Sequence, residues 1–195
     1  IGRFGVGVDN IDVGEATNQG VLVTYVPDYC VDEVSDHVIG LLLAWNRKIV
    51  LHNNDTKLLG WGNAGLGMRI MRLRGKKIGI VGFGRIGRMV AEKVQAFGLK
   101  VLSFDPMIDS DSMEQLGVTK MELEDLLSES HFVTLHSPLI AATANMFSKE
   151  QFKMMRKDAF LINCARGGLI DDEALIKGLS TGKILGVGLD VMEDV

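Results

Sequence analysis

The fold of this chain is decided by the stretch Lys77-Ile-Gly-Ile-Val-Gly-Phe-Gly-Arg-Ile-Gly87. Ile78–Val81 predicts a short buried strand, and the glycines that follow have the spacing G-x-G-x-x-G. From Arg85 to Phe97 apolar residues recur at helical spacing, and Gly98 is placed to end the predicted helix. A strand, a glycine-rich turn and an amphipathic helix therefore follow one another within about twenty residues.

Each glycine of this turn has its own physical task. Gly82 permits the tight turn, Gly84 lets a ligand's pyrophosphate approach the backbone, and Gly87 lets the helix pack close to the strand. The helix N-terminus offers unpaired N–H groups to phosphates, and Arg85 adds a positive charge. The pattern predicts a dinucleotide site; the alternative is a purely structural glycine turn.

An acidic residue indicates which dinucleotide is bound. Asp105 follows the strand predicted over Leu99–Phe104 and lies 18 residues after Gly87. A carboxylate at this position accepts hydrogen bonds from a ribose diol and repels a 2′-phosphate, so NAD is favoured over NADP. A second glycine cluster, Gly62-Asn-Ala-Gly65-Leu-Gly67, has no strand before it and is expected in a surface loop over residues 53–74.

Strands and helices alternate along the rest of the chain. A short buried strand is expected over residues 20–24. Further strands are predicted over residues 131–135, 159–163 and 184–189, with intervening helices over 121–129, 148–155 and 171–181. This alternation predicts an α/β fold with a doubly wound, mostly parallel sheet of the Rossmann type.

Composition limits the possible partners. The net charge is −4 with no Lys/Arg block, so neither nucleic acid nor an anionic membrane is expected as a partner. The longest apolar stretch, Val38–Trp45, is shorter than the roughly 20 residues that span a bilayer. Cys30 and Cys164 lie far apart in sequence, which favours a reducing, cytoplasmic setting over a disulfide framework. No metal site is predicted.

A long helix is expected over residues 33–51, with Asp32 and Ser35 as possible caps. Its apolar residues cover more than one face, which is typical of a helix buried between layers, domains or subunits. A homodimer interface is the favoured interpretation, and packing between two domains of one chain is the alternative.

Three predicted strand ends carry candidate chemistry, because ligands bind beyond the carboxyl ends of parallel strands. Arg166 is the main catalytic candidate, since a guanidinium can hold a carboxylate and a carbonyl together. Gly167 and Gly168 are expected to let a ligand approach closely. Asp190 is placed to accept a hydrogen bond from a nicotinamide carboxamide. The alternative, which the sequence favours about equally, is that Asp190 only forms part of a turn at the end of its strand.

Hydride transfer to a carbonyl also requires a proton donor, which is usually a histidine. His37 and His52 are expected to be structural or exposed, and His131 begins a strand. His136 lies at a ligand-facing strand end, where a cofactor-side or packing role is favoured over that of the acid.

Taken together, seven motifs resemble the D-isomer-specific 2-hydroxyacid dehydrogenases, a family that also contains transcriptional co-repressors. The motifs occur in family order along almost the whole chain: residues 5–12, 73–76, 79–87, 104–106, 136–139, 162–169 and 188–191. Several motifs in order are far more specific than a single glycine-rich turn.

The resemblance implies a role for each matched residue. Val6 and Gly7 would present backbone N–H groups to a substrate carboxylate, and Arg166 would be the catalytic arginine. The pyrophosphate would meet the backbone of Arg85 and Ile86. The remaining cofactor contacts implied by the family are Asp105 at the ribose, Asp190 at the carboxamide, and Ser137, Thr143, Cys164 and Ala165 along the cleft.

The resemblance also implies parts that this sequence does not contain. The family's catalytic histidine is expected beyond residue 195, and its catalytic glutamate position holds Val195, with Glu193 as a possible substitute. Residues 1–30 are interpreted as the end of a flavodoxin-like substrate domain and residues 31–195 as the NAD-binding domain. The implied function is reversible reduction of a 2-oxo acid to a D-2-hydroxy acid, and the alternative is an NAD(H)-sensing, co-repressor-like binding module.

Overall fold

A computed structural model describes residues 1–61 and 70–193. Six parallel strands in these ranges form one sheet in the order β3-β2-β1-β4-β5-β6. The strands are β1 Lys77–Val81, β2 Lys100–Phe104, β3 Val118–Lys120, β4 Phe132–Leu135, β5 Phe160–Asn163 and β6 Gly186–Leu189. The helices are α1 Val13–Asn18, α2 Val31–Asn46, α3 Ile49–Leu59, α4 Arg85–Gln95, α5 Ser110–Glu114, α6 Leu123–Glu129, α7 Lys149–Met154 and α8 Asp172–Ser180.

The sheet confirms the predicted doubly wound fold. Its strand order reverses between β1 and β4, where Val81 pairs with Leu135. This reversal opens a crevice beyond the carboxyl ends of the two strands, which is where such folds bind ligands. The edge strand β3 and the short helix α5 were missed, because three residues and five residues are too few to show a period.

Buried side chains cover both faces of the sheet. On one face Ile78 and Ile80 pack with the apolar sides of α2, α4 and α5. On the other face Val81 and Val133 pack with α6, α7 and α8. The central strands are buried on both faces, which is why they are continuously apolar rather than alternating.

The predicted helix over residues 33–51 is two helices. Helix α2 ends at Asn46, and Lys48 then adopts a left-handed conformation (φ 57°) before α3 begins. The Asn46 side chain exchanges two hydrogen bonds of 3.0 Å with the backbone of Met71. Neither Asp32 nor Ser35 caps α2, since Cys30 occupies that position without a side-chain hydrogen bond. The prediction of a loop from residue 53 onward is therefore wrong for residues 53–59, which belong to α3. The glycine cluster Gly62–Gly67 lies outside the described residues.

Packing within the chain accounts for much of the apolar surface of α2. Val38 and Leu42 are fully buried between α2, α4 and the sheet. Trp45 stacks on Phe160 of β5 with ring centroids 4.4 Å apart. The surroundings of α2 therefore do not by themselves require a second subunit.

Within residues 1–30, backbone hydrogen bonds join residues 1–5 to residues 22–26. Arg3 donates a backbone hydrogen bond to Thr24 (2.8 Å), and Gly2 and Thr24 form an isolated parallel bridge. Leu22 is 77 % exposed, so the buried strand expected over residues 20–24 is wrong. Among the described residues only this bridge offers that segment a strand partner.

Candidate active site

The turn between β1 and α4 is built as its glycine spacing predicts. Gly82 adopts φ +94°, and a Cβ there would lie 2.7 Å from the backbone of His136 and Ser137. A Cβ on Gly87 would lie 2.3 Å from the carbonyl oxygen of Gly82. A Cβ on Gly84 would meet nothing within 4 Å, so the backbone there is open to a ligand. The turn therefore forms a cradle at the N-terminus of α4.

Asp105 is fixed beside this turn. Its Oδ2 accepts a hydrogen bond from the Phe83 N–H (2.7 Å), and its Oδ1 accepts one from the Met107 N–H (2.9 Å). Each carboxylate oxygen can accept more than one hydrogen bond, so both keep capacity for a ligand hydroxyl. The residue predicted to select the ribose thus also holds the glycine turn in place.

A cavity of about 720 Å³ lies between residues 3–9 and the carboxyl ends of the strands. It is large enough for a small molecule or for part of a dinucleotide. The predicted site residues that line it are Val6, Gly7, Gly84, Arg85, Ile86, Ser137, Cys164, Ala165 and Arg166. More than half of the predicted site residues therefore lie together at this cavity, beside other lining residues that were not predicted.

Thr143 does not line this cavity. Its hydroxyl donates a hydrogen bond to the Pro138 carbonyl (2.5 Å) and accepts one from the Ile140 N–H (2.9 Å). These bonds close the loop between β4 and α7. Thr143 thus shapes the cavity wall through Pro138 and Ile140 rather than facing the interior.

Arg166 enters the cavity from the end of β5. Its Nε and Nη2 donate to the two oxygens of Asp9 at 2.9 and 2.8 Å, and its Nη1 donates to the Ala165 carbonyl at 2.7 Å. A Cβ on Gly7 would lie 1.8 Å from Nη2, so the guanidinium fits only against a glycine. Asp9 was not among the predicted site residues, although it lies in the same glycine-rich motif.

The two glycines after Arg166 accommodate the protein itself. A Cβ on Gly167 would lie 2.2 Å from the backbone of Met192, and a Cβ on Gly168 would lie 3.1 Å from Leu139. The expectation that Gly167 admits a ligand is therefore wrong, whereas the nearest neighbour of Gly168 is only the end of the Leu139 side chain. Gly167 lets the chain after β6 pack against the start of the 3₁₀ turn over Gly167–Leu169.

Arg85 also pairs with a residue that the sequence analysis did not single out. Its Nε lies 2.9 Å from Asp28 Oδ1, and both side chains are largely exposed. This ion pair connects the start of α4 to the segment before α2. The Arg85 side chain is thus directed toward Asp28, while its backbone lies in the glycine turn.

Asp190, Cys164 and His37 meet at the ends of β5 and β6. His37 Nε2 lies 3.4 Å from Asp190 Oδ1, and a ligand atom of each residue lies within 4.8 Å of the others. Burial, and secondarily the charge of Asp190, raise the pKa of the Cys164 thiol to about 12. Cys164 is therefore a neutral thiol at physiological pH. The contact of His37 with Asp190 could not be read from local sequence.

His136 lines the cavity as a neutral imidazole. Its Nε2 lies 3.0 Å from the hydroxyl of Thr134, and burial lowers its pKa to about 4. A histidine with this pKa is almost never in the imidazolium form near neutral pH, so it is a poor general acid. The Ser137 hydroxyl beside it donates a hydrogen bond to the Val81 carbonyl (3.4 Å).

These features define the class of protein: a doubly wound α/β domain with a dinucleotide cradle and an arginine at the adjoining cavity. A family model for the NAD-binding domain of D-isomer specific 2-hydroxyacid dehydrogenases matches residues 39–195. The chain belongs to this family, and its cofactor is NAD. The cradle suits this cofactor, because a side chain at Gly82 or Gly87 would collide with the turn while the backbone at Gly84 stays open.

Relatives of known name match along almost the whole chain. D-3-phosphoglycerate dehydrogenase of Methanocaldococcus jannaschii is 40 % identical over 195 residues, which is 100 % of this chain and 37 % of that protein. Glyoxylate reductase of Thermococcus litoralis is 39 % identical over 199 residues, 100 % of this chain and 60 % of that protein. The chain thus spans between about a third and two thirds of the length of these relatives.

A solved structure shows the same fold. The D-lactate dehydrogenase of Aquifex aeolicus, solved in complex with NAD and lactic acid, superposes with a TM-score of 0.91 at 33 % identity. The match covers 97 % of this chain and 56 % of that chain. Within residues 1–61 and 70–193, no helix is long and apolar enough to cross a membrane.

Proposed function

We propose that the intact protein interconverts a 2-oxo acid and a D-2-hydroxy acid with NAD as the hydride carrier. The observation that carries this proposal is Arg166, whose guanidinium lines the same cavity as the start of α4. A cation at this place can hold an anionic substrate beside the reacting end of the cofactor. The substrate proposed is a small 2-oxo acid.

The cofactor side of the site follows from the cradle. NAD, when bound, accepts or supplies the hydride. The backbone N–H groups of Arg85 and Ile86, exposed at the open position of Gly84, would hold the pyrophosphate. Asp105 would hold the ribose and Asp190 the carboxamide. Ser137, Cys164 and Ala165 would line the cleft, and Thr143 would act through the loop it closes.

The substrate side combines two segments that are distant in sequence. Val6 and Gly7 would donate backbone N–H groups to the substrate carboxylate. Arg166 would share that carboxylate and polarise the adjacent carbonyl, which lowers the cost of the negative charge that develops on its oxygen. Neutral Cys164 adds no charge that would compete with this polarisation.

The proton donor is proposed to lie outside the described residues. His136 is unsuited, because burial lowers its pKa to about 4. His37 pairs with Asp190 and is not among the residues that line the cavity. A histidine after residue 195 remains the proposed acid. The resemblance places the family's glutamate at Val195, which also lies outside the described residues. Glu193 remains the possible substitute.

The test is a steady-state assay of the intact protein with NADH. Glyoxylate, hydroxypyruvate, pyruvate and phosphohydroxypyruvate are the first substrates to compare. We expect turnover of at least one of them, and loss of most of kcat/KM in Arg166→Ala with NADH affinity retained. Absence of NADH oxidation across a broad panel of 2-oxo acids would refute the proposed activity. None of the relatives named above is a co-repressor, and no observation favours that alternative.

The intact protein is further proposed to be a homodimer. Helix α3 exposes apolar side chains that nothing in the described chain covers, which indicates an interaction surface. They are Ile49, Val50, Leu51, Leu58 and Leu59. Sedimentation at micromolar concentration is expected to give a dimer, and Leu58→Asp is expected to weaken it; a monomeric wild type would contradict the proposal.

A cytoplasmic location is also proposed from the two free cysteines, and cell fractionation tests it.

A further inference from the structure

A bidentate ion pair at the cavity joins two parts of the chain that lie far apart. Asp9 precedes α1, whereas Arg166 follows β5, and the two positions are 157 residues apart. The contact is bidentate, with both carboxylate oxygens and two guanidinium nitrogens engaged at 2.8–2.9 Å. Paired charges with parallel hydrogen bonds fix direction as well as distance. Asp9 therefore determines how the guanidinium plane lies in the cavity.

The way Arg166 is held leaves suitable donors free. A guanidinium has five N–H groups. One on Nε and one on Nη2 go to Asp9, and one on Nη1 goes to Ala165. One N–H on each of Nη1 and Nη2 remains, which is the number that a bidentate contact with a substrate requires.

The absence of a side chain at Gly7 makes room for the ion pair between Asp9 and Arg166. A Cβ on residue 7 would lie 1.8 Å from Arg166 Nη2 and 2.7 Å from Asp9 Oδ1. The pair therefore lies directly against the backbone proposed to bind the substrate carboxylate. The hydrogen bonds from Arg166 hold the pKa of Asp9 below its usual value, with a smaller contribution from the charge of Arg3. Asp9 is thus an anion at any pH at which the enzyme would work.

The geometry points to Asp9 as the residue that positions Arg166 for catalysis, an inference that rests on the proposed function. Asp9 does not need to touch the substrate. It holds the guanidinium so that the two unused N–H groups face the substrate's carboxylate and the adjacent carbonyl that is reduced. Without this carboxylate the long arginine side chain regains rotational freedom, and the proportion of correctly oriented complexes falls.

The test is Asp9→Asn in the intact protein. The asparagine amide offers one acceptor oxygen and turns N–H donors toward the guanidinium, so the bidentate contact is lost. We expect kcat to fall on the order of 10- to 100-fold. KM is expected to change by less than about threefold, because the lost orientation and the lost negative charge act on anion binding in opposite directions. NADH affinity is expected to stay at the wild-type value.

Two further variants separate positioning from a merely structural role. Asp9→Glu keeps a carboxylate and is expected to recover part of the kcat lost in Asp9→Asn. The matched control is Asp158→Asn: Asp158 accepts from Arg156 Nε and Nη2 at 2.8 and 3.0 Å, is similarly exposed, and does not line the cavity. Asp158→Asn is expected to lower the melting temperature without changing kcat.

Each outcome decides between the two proposals. A wild-type protein that reduces no 2-oxo acid refutes the proposed function, and the role of Asp9 with it. If the wild type turns over and Asp9→Asn keeps kcat within about twofold, the positioning role alone is refuted. If Asp9→Asn fails to fold or to bind NADH like the wild type, Asp9 is a structural residue, and the inference is likewise overturned.

Discussion

Replacing Gly87 with alanine tests the close approach between the dinucleotide turn and α4. The added Cβ would lie 2.3 Å from the Gly82 carbonyl oxygen, whereas ordinary contacts begin near 3.4 Å. The helix and the turn must therefore separate by about 1 Å, because neither neighbour is a flexible side chain. Ile80, whose Cγ2 lies 3.3 Å from the same point, restricts movement in the other direction.

The expected magnitude follows from two opposing effects. Overpacking costs about 1–3 kcal/mol, while alanine in a helix is favoured over glycine by about 1 kcal/mol. The free energy of unfolding is therefore expected to fall by about 2 kcal/mol at most. The displaced helix N-terminus loses one or more N–H contacts to the pyrophosphate, each worth about 1.5–3 kcal/mol. The Kd for NADH is thus expected to rise about 10- to 100-fold.

Fluorescence titration of NADH into the intact protein measures this effect, and thermal unfolding reports the change in stability. Gly40→Ala is the matched control, because Gly40 also lies in a helix but its Cβ would meet nothing within 4 Å. This control is expected to be neutral or slightly stabilising, with unchanged Kd. A Gly87→Ala protein that binds NADH as tightly as the wild type would refute the reasoning about the turn.

Three other predictions follow from single side chains. Asp105→Asn is expected to lower the preference for NADH over NADPH by about tenfold, as measured by parallel titrations; an unchanged preference would show that Asp105 serves the turn alone. Because its pKa is raised to about 12, the thiolate fraction of Cys164 is about a thousandfold smaller than that of an ordinary cysteine. Iodoacetamide at pH 8 should therefore leave Cys164 unmodified in the folded protein. Rapid labelling, detected by peptide mass spectrometry, would contradict this expectation. Burial lowers the pKa of His136 to about 4 in the folded protein, so the unfolded chain binds the proton more readily. The resulting contribution to stability is about 3 kcal/mol; it is complete above pH 6.5 and is lost as the pH falls toward 4. His136→Asn should therefore show a shallower fall in melting temperature over this range, and equal slopes would refute the assignment.

Short-range patterns in the sequence determined the part of the fold that binds the cofactor. The turn at Gly82–Gly87 and strands β1, β2, β4 and β5 were predicted within one or two residues, because each strand depends on its own short apolar run and the turn on its own glycines. The starts of helices α7 and α8 were equally local, unlike that of α2. The Ser148 N–H donates to Gln151 Oε1 (3.1 Å), and the Ala174 N–H donates to Asp171 Oδ1 (3.0 Å), as both sequences predict. These contacts join residues three positions apart, so the sequence alone carries them.

Tertiary structure alone decided how the arginine is used. Nothing in the local sequence relates Asp9 to Arg166 or His37 to Asp190, because each contact forms only after the sheet brings distant segments to one edge. The same holds for Gly167, whose missing side chain admits the backbone of Met192 rather than a ligand. Hydrophobic periodicity and motif spacing describe residues that are neighbours along the chain. The direction of the Arg166 guanidinium depends instead on the residues that the fold packs around it. The sequence therefore predicted some of the residues that line the cavity, and the fold determined which residues hold one another in place there.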